Sequence, residues 1–313
     1  MKECGRKIVI LIITLLIVSF LVFLAFTVIP GDPATSMLGT QATPEKVAAL
    51  REEMGLNEPF MVRYVKWIAS FLQGDMGTSY SYQMPVRDMI VDKIPITLTL
   101  TIMAFVFMLV LGIPLGIYAA QHVGGKIDSV ICAINQFSLA IPPFFLGILM
   151  TYVFGLLLHL FTPGGFISYE VNMGAFLRYM VFPSLAIAIP KSAMAAKLLR
   201  SSVIEQAKLD YAKTAYSKGN TTKAVLWNHV LKNAMIPVIT FLGMALADMI
   251  AGSIIIEQVF GIPGIGRILL TSISNRDYPV VQAIIVCIAF IVNIVNLFVD
   301  LLYRVIDPRI RME

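Results

Sequence analysis

Six long apolar runs separated by polar segments of unequal length set the pattern of the chain. They cover Ile8 to Ile29, Thr97 to Ala120, Val130 to Phe161, Tyr179 to about Ala196, Val238 to about Val259, and Val280 to Tyr303. Each reaches the roughly 17–25 residues that a helix needs to cross a bilayer core of about 30 Å, and the third is long enough to tilt or project beyond it. The pattern therefore predicts an all-α integral membrane protein with six transmembrane helices and both ends of the chain on one side. The first run follows Lys2, Arg6 and Lys7 and passes into Val28-Ile29-Pro30-Gly31-Asp32-Pro33, with no small-x-small site after it. It reads as a membrane helix and not as a cleaved signal.

Two of the polar segments are long. Between Pro30 and about Pro95 the chain has room for two or three surface helices, with Thr43-Pro44-Glu45 as one helix start and an amphipathic stretch from Phe60 to Leu72 carrying Tyr64 and Trp67. Between the fourth and fifth apolar runs, Lys208, Lys213, Lys218, Lys223 and Lys232 exclude the segment from lipid. Within it, Asp210 is placed to cap a helix start and Gly219 to supply the left-handed residue after the last turn, leaving about eight residues or roughly 12 Å between them. Tyr211, Ala212, Ala215, Tyr216 and Gly219 share one face of that short helix. Two tyrosines around small residues make a knob for another protein's groove, or else a face that packs only against its own chain; periodicity leaves both open.

Composition agrees with the membrane reading. Of 313 residues, 58% are hydrophobic and only 14% charged, against about a quarter charged in soluble domains. Mean hydropathy is +0.82. The net charge of +5 has no basic stripe with interleaved aromatics behind it, so it does not point to nucleic acid. Sorted by the sides that six spans define, 14 lysines and arginines fall with the two termini and the Lys208–Lys232 segment and 9 on the other side, with Lys191 inside a span. The excess places that segment and both termini in the cytoplasm, and the segment between the first two spans outside. Cys4, Cys132 and Cys287 are far apart, without metal-ligand or redox spacing, and read as small packing residues.

Polar and helix-breaking residues inside the spans are the candidates for a pathway. Pro114 (with Gly112 and Gly116), Pro142-Pro143, Pro183 and Pro190 free backbone groups that lipid cannot satisfy. Asn135, Gln136 and Ser138 cluster in the third span, and Asn293 and Asn296 in the sixth. Asp248 and Glu257 lie two and a half turns apart in the fifth, on nearly opposite faces, so they are not a paired acid and base. The candidate pathway or gate residues are Asn135, Gln136, Pro142, Pro143, Asp248 and Glu257; for Asp248 a pathway role and a buried structural hydrogen bond both remain open. Phe260-Gly261-Ile262-Pro263-Gly264-Ile265-Gly266-Arg267 reads as a tight external re-entrant turn and not as a phosphate loop, having no strand before it and no Lys-Ser or Lys-Thr after it. His122, His159 and His229 lie apart, and no zinc, nucleophile-elbow or paired acidic motif occurs, so no catalytic or metal site is expected.

Lys213-Thr214-Ala215-x3-Gly219 resembles the Glu-Ala-Ala-x3-Gly coupling motif of the transmembrane subunits of bacterial ATP-binding-cassette importers, in the variant of the dipeptide, oligopeptide and nickel permeases. Lysine and threonine stand where Glu-Ala is general, and His229-Val-Leu-Lys-Asn233-Ala-Met-Ile-Pro237 where Ile-x-Leu-Pro is usual; the peptide and nickel branch has both departures. Pro30-Gly31-Asp32-Pro33, Gly55-Leu-Asn-Glu-Pro59, Gly74-Asp-Met-Gly77-Thr-Ser79, the run from Glu257 to Pro279, Asp300-Leu-Leu-Tyr-Arg and Asp307-Pro-Arg309-Ile-Arg311 extend the resemblance over nearly the whole chain.

The resemblance implies the type I importer-permease fold with six transmembrane helices: a first span plus helical extracytoplasmic segment over 1–95, the type I transmembrane core with the other five spans over 96–306 and a cytoplasmic coupling loop at 200–237, and a cytoplasmic tail at 307–313. It also implies ATPase-coupling roles for Asp210, Tyr211, Lys213, Thr214, Ala215, Tyr216, Gly219, His229 and Asn233. The expected partners are a second permease subunit in a heterodimer, two cytoplasmic ATPase subunits and an extracytoplasmic substrate-binding protein. No cofactor is expected on this chain, ATP being used by the partner subunits, since no Gly-x4-Gly-Lys-Ser/Thr loop occurs. The implied cargo is di- or oligopeptides, with nickel or a metal chelate as the alternative; a membrane-embedded enzyme and a stand-alone secondary transporter are the readings from other classes.

Overall fold

The computed structural model of the protein describes residues 2–28 and 32–306. Pro30, Gly31, the ending Asp307-Pro308-Arg309-Ile310-Arg311 and the expected tail at 307–313 lie outside them. The first apolar run forms α1 (Lys2–Val28). Four short helices follow where two or three were expected: α2 (Pro33–Leu38), α3 (Pro44–Glu53), α4 (Phe60–Leu72) and α5 (Val86–Val91). Their starts are chemically explicit. Asp32 accepts from the backbone N–H of Ala34 and Thr43 from that of Lys46, each ahead of a proline whose fixed φ suits the first turn.

The second run forms α6 (Ile94–Gln121), unbroken through Pro114. The third is where the structure departs most from the pattern: α7 (Lys126–Ala140) and α8 (Pro143–Met150), which continues as a π-helical stretch to Leu157, meet at 100°. The cause is the proline pair. Each proline forces the residue before it out of helical geometry, and Ile141 and Pro142 are both extended, at ψ 122° and 140°. The fourth and fifth runs become α9 (Met173–Gln206), α10 (Asp210–Ser217), α11 (Thr222–Val225), a π turn at Leu226–Val230, and α12 (Leu231–Phe260). Pro183, Pro190 and Pro237 lie inside continuous helices. Past α12 the chain turns over 261–264, with Gly261 left-handed at φ 67°, and a ten-residue helix, α13 (Ile265–Ser274), follows, whose Ile265, Leu269 and Ser272 are buried at helical spacing. The last run forms α14 (Tyr278–Ile306). Among the described residues five helices are long and apolar enough to cross a membrane, and the bent pair makes a sixth; none forms a strand.

The chain divides into two units. One contains the chain up to Ile96 together with Pro263–Ile294. Here Phe20 and Phe23 of α1 meet Phe60, Tyr64 and Trp67 of α4, with ring centroids 5.4 to 5.7 Å apart, and the Ser19 and Tyr64 hydroxyls are 2.9 Å apart. This is the face that the amphipathic stretch foretold. Asp277, fully buried, accepts from the Ser79 hydroxyl and from the backbone N–H groups of Tyr80 and Ser81, so its charge is shared among three donors.

The other unit runs over Thr97–Ile262 and resumes at Val295. Its most extensive helix contact joins α9 to α12, with α7 and α8 packed on α9. Gly112 and Gly116 let α6 approach α9 so closely that a Cβ on either would lie 2.9 Å from the carbonyl oxygen of Ser192 or Ala196. At one end of α12 the Thr97 hydroxyl donates to Glu257 and the Tyr179 hydroxyl to the Phe260 carbonyl.

Candidate functional site

The short helix α10 occupies Asp210–Ser217, and Gly219 follows its last turn at φ +82°, the left-handed geometry expected of it. The Gly219 N–H donates to the Tyr216 carbonyl at 2.9 Å, and the Asn220 side-chain amide donates to the Ala215 carbonyl at 3.0 Å. Both close off carbonyls that the helix leaves unpaired. The start differs from expectation. Leu209, extended and without a side-chain acceptor, holds the cap position, and Asp210 is the first helical residue. Its carboxylate accepts from the Lys213 ammonium at 2.9 Å, and this partner holds the Asp210 carboxyl below the usual carboxylate range. A carboxylate in the first turn still complements the helix dipole.

The predicted face is split. Ala212 and Ala215 are buried, and α10 packs on α11 and on the π turn. The Tyr211 hydroxyl donates to Gln206 Oε1 at 2.8 Å. Tyr216 remains 40% exposed, and the outward surface is completed by Asp210, Lys213, Thr214, Ser217 and Lys218. The alanine centre of the proposed knob thus seats the helix on its own chain, and what is offered outward is the polar face with one tyrosine. Periodicity identifies an apolar face; it does not say whose atoms cover it. His229 is exposed on the π turn, and Asn233 is half-buried in the first turn of α12.

The candidate pathway residues separate by burial. Glu257 is fully buried with Thr97 as donor, and Asn135 is buried in α7, so neither opens onto a free surface. Gln136, Pro142 and Pro143 are exposed, the prolines at the break between α7 and α8. Asp248 is 67% exposed, and its partner is not the asparagine of another span that hydrogen-bonding arguments favour but Lys191 of α9, whose Nζ donates to Oδ2 at 2.8 Å.

Two ionic contacts escaped the sequence reading. Lys191 was visible as a lysine inside a span, a position that demands a counter-charge, but sequence alone did not say which helix supplies it. The other is Arg200 near the end of α9, which clamps Asp128 of α7 through Nε at 2.6 Å and Nη2 at 2.7 Å, a bidentate pair that Gly124 N–H completes. Among the described residues no three His, Cys, Asp or Glu side chains come together as a metal ion would need.

Comparison with known proteins agrees with this arrangement. Residues 112–312 match the family model "Binding-protein-dependent transport system inner membrane component", and residues 2–101 match the model of the N-terminal region of such membrane components. A probable peptide ABC transporter permease protein of Sinorhizobium fredii is 34% identical over 306 residues, 98% of each chain. An oligopeptide transport system permease protein of Bacillus subtilis is 35% identical over 299 residues, 95% of each chain. A glutathione transport system permease protein of Salmonella choleraesuis is 36% identical over 303 residues, 97% of this chain and 96% of that one. With both family models matched in order and relatives aligned end to end, the chain belongs to the inner membrane components of binding-protein-dependent transport systems.

Proposed function

We propose that this chain is one of two permease subunits of an ATP-driven importer, passing di- or oligopeptides handed over by an extracytoplasmic binding protein and driven by two cytoplasmic ATPase subunits. The observation that carries the reading is the seating of α10. Its alanines anchor it to α11 and to the π turn that leads directly into α12, while three residues join it to the end of α9. A partner that shifts the polar face of α10 therefore pulls on the two most extensively packed helices of the core at once, which is the mechanical linkage that an energy-coupling helix requires. Asp210, Lys213, Thr214, Tyr216 and Ser217 contact the ATPase cleft; Tyr211, Ala215, Gly219, His229 and Asn233 hold the segment in shape. Gln136, Pro142, Pro143 and Asp248 border the path.

The lysine-rich segment lies in the cytoplasm with both termini, and the helices α2 to α5 lie outside. This chain performs no catalysis and binds no cofactor; ATP is consumed on the partner subunits. Peptide is favoured over the nickel alternative because the relatives aligned over their full length are peptide, oligopeptide and glutathione permeases by name. The test is reconstitution of the chain with its second permease subunit, ATPases and binding protein in liposomes. Uptake of labelled di- and oligopeptides should require ATP and all the subunits. Uptake of nickel in place of peptide, or peptide uptake without ATPase subunits, would overturn the reading.

A further inference from the structure

Beyond Lys232 and Pro237 near its start, the exposed residues of α12 form a single stripe at helical spacing: Thr240, Met244, Asp248, Ala251, Ile255 and Gln258. It differs in kind from the exposed surface of α1, which is aliphatic over Ile8, Val9, Ile10, Ile12, Ile13 and Leu16. The α1 surface suits lipid. A stripe with a carboxylate at its centre, a hydroxyl one side and an amide the other does not, because a charge facing hydrocarbon is costly whereas one facing a water-filled cavity is not. Near the midpoint of α9, Lys191 reaches the same place, and it is 28% exposed against the 67% of Asp248. The pair is thus closed on the protein side and open on the other, with the second carboxylate oxygen of Asp248 free of any described donor.

An ion pair open to water at the middle of two spans has a specific chemistry. It carries no net charge while empty, so it costs the membrane little. A ligand bearing one ammonium and one carboxylate meets it with two complementary contacts and leaves the assembly neutral. A ligand with only one of those groups leaves one charge of the pair without its match. Resting on the peptide-importer reading above, we infer that Lys191 and Asp248 form a passing site for the free ends of a zwitterionic peptide: the ammonium group goes to Asp248 and the carboxylate to Lys191, each end replacing half of the bond that joins the two side chains. The two ends of a short extended peptide stand roughly 3.3–3.6 Å apart per residue, so a di- or tripeptide spans the pair only as the lysine swings along its flexible stem.

The experiment uses the reconstituted full transporter with single cysteines at Met244 and Ala251, one turn to either side of Asp248, and a water-soluble charged maleimide. Trialanine with free ends is the probe, compared with N-acetyl-trialanine and with trialanine amide. Both cysteines should react, and free-ended trialanine should slow the reaction at concentrations about tenfold lower than either blocked peptide, equivalent to about 1.4 kcal/mol. Asp248→Asn should remove the difference between free and N-acetylated peptide, and Lys191→Met that between free and amidated peptide, with co-purification of the subunits as the check that each variant folds. Cysteines inert to the reagent would place the stripe against lipid or against the second subunit and overturn the inference. Equal protection by all three peptides, or protection unchanged in both variants, would overturn it as well. Absence of uptake of any peptide by the unmodified transporter would instead count against the importer reading itself, so the two failures are distinct.

Discussion

Gly219 illustrates how much one residue carries. Its φ of +82° costs an L-residue roughly 1–2 kcal/mol, and more for a β-branched side chain, while nothing lies within 4 Å of the place a Cβ would take. Strain and not collision is therefore the penalty. Gly219→Val should lower ATPase stimulation and uptake roughly 5- to 30-fold with expression kept, and Gly219→Asn should recover much of the loss, since asparagine tolerates the left-handed region. Equal activity of all three in a reconstituted assay would show that the helix end does not matter to coupling. This residue was legible in the sequence because a glycine at the end of a short polar helix has one common reason to be there. Asp210 was legible only in part: an acid beside a helix start was visible, but whether it caps or enters the first turn depends on the backbone of Leu209. Asp248 was visible as a charge that needed a partner, and Lys191 as another, yet their pairing is a fact of how α9 lies on α12, which local sequence does not encode.

Among elements, the contact of α6 with α9 is a tight constraint. With the α9 carbonyl oxygens of Ser192 and Ala196 only 2.9 Å from the Cβ positions of Gly112 and Gly116, any side chain there must force the helices apart. Gly116→Leu should destabilise the core by about 1–3 kcal/mol, the usual cost of overpacking, and should be seen as a lowered temperature of inactivation and aggregation of the detergent-solubilised complex. Gly124→Ala, at a turn with nothing within 4 Å, should cost less and only through its backbone, at φ +77°. A Gly116→Leu complex as heat-resistant as the unmodified one would mean that the two helices are not held at this distance. Apolar run length made all six spans readable, and the Gly-x3-Gly spacing of Gly112 and Gly116 was on view, but it was read as an interruption around Pro114 and not as a packing groove. The same weighting misled at the prolines. Pro114, Pro183 and Pro190 sit in continuous helices, where neighbouring backbone adjusts around one missing donor, whereas Pro142-Pro143 turns the chain through 100° because two successive residues are driven into extended geometry.

At the scale of the whole molecule, the bend at Pro142 decides how many times the chain crosses. If α7 and α8 together form one broken span, six crossings put Ser217 on the opposite side of the membrane from Glu52, and Glu170 on the same side as Glu52. If the pair instead enters and returns, Glu170 and Ser217 exchange sides, and the lysine-rich segment is left outside, against the lysine and arginine distribution. The connection from His159 to Asn172 holds no lysine or arginine, which suits an external loop. Glu52, Glu170 and Ser217 are all exposed, so each accepts a cysteine without disturbing packing. The background needs the native thiols removed with some care: Cys132 donates to the Asp128 carboxylate at 3.5 Å, so Cys132→Ser keeps a donor next to the Arg200 clamp, while Cys4 and Cys287 are replaced by alanine. With a membrane-impermeant maleimide added outside, Glu52→Cys and Glu170→Cys should be modified in intact cells and Ser217→Cys only after the membrane is opened. Modification of Ser217→Cys from outside, with Glu170→Cys protected, would make the α7 and α8 pair a re-entrant hairpin, and α10 could then no longer meet an ATPase in the cytoplasm.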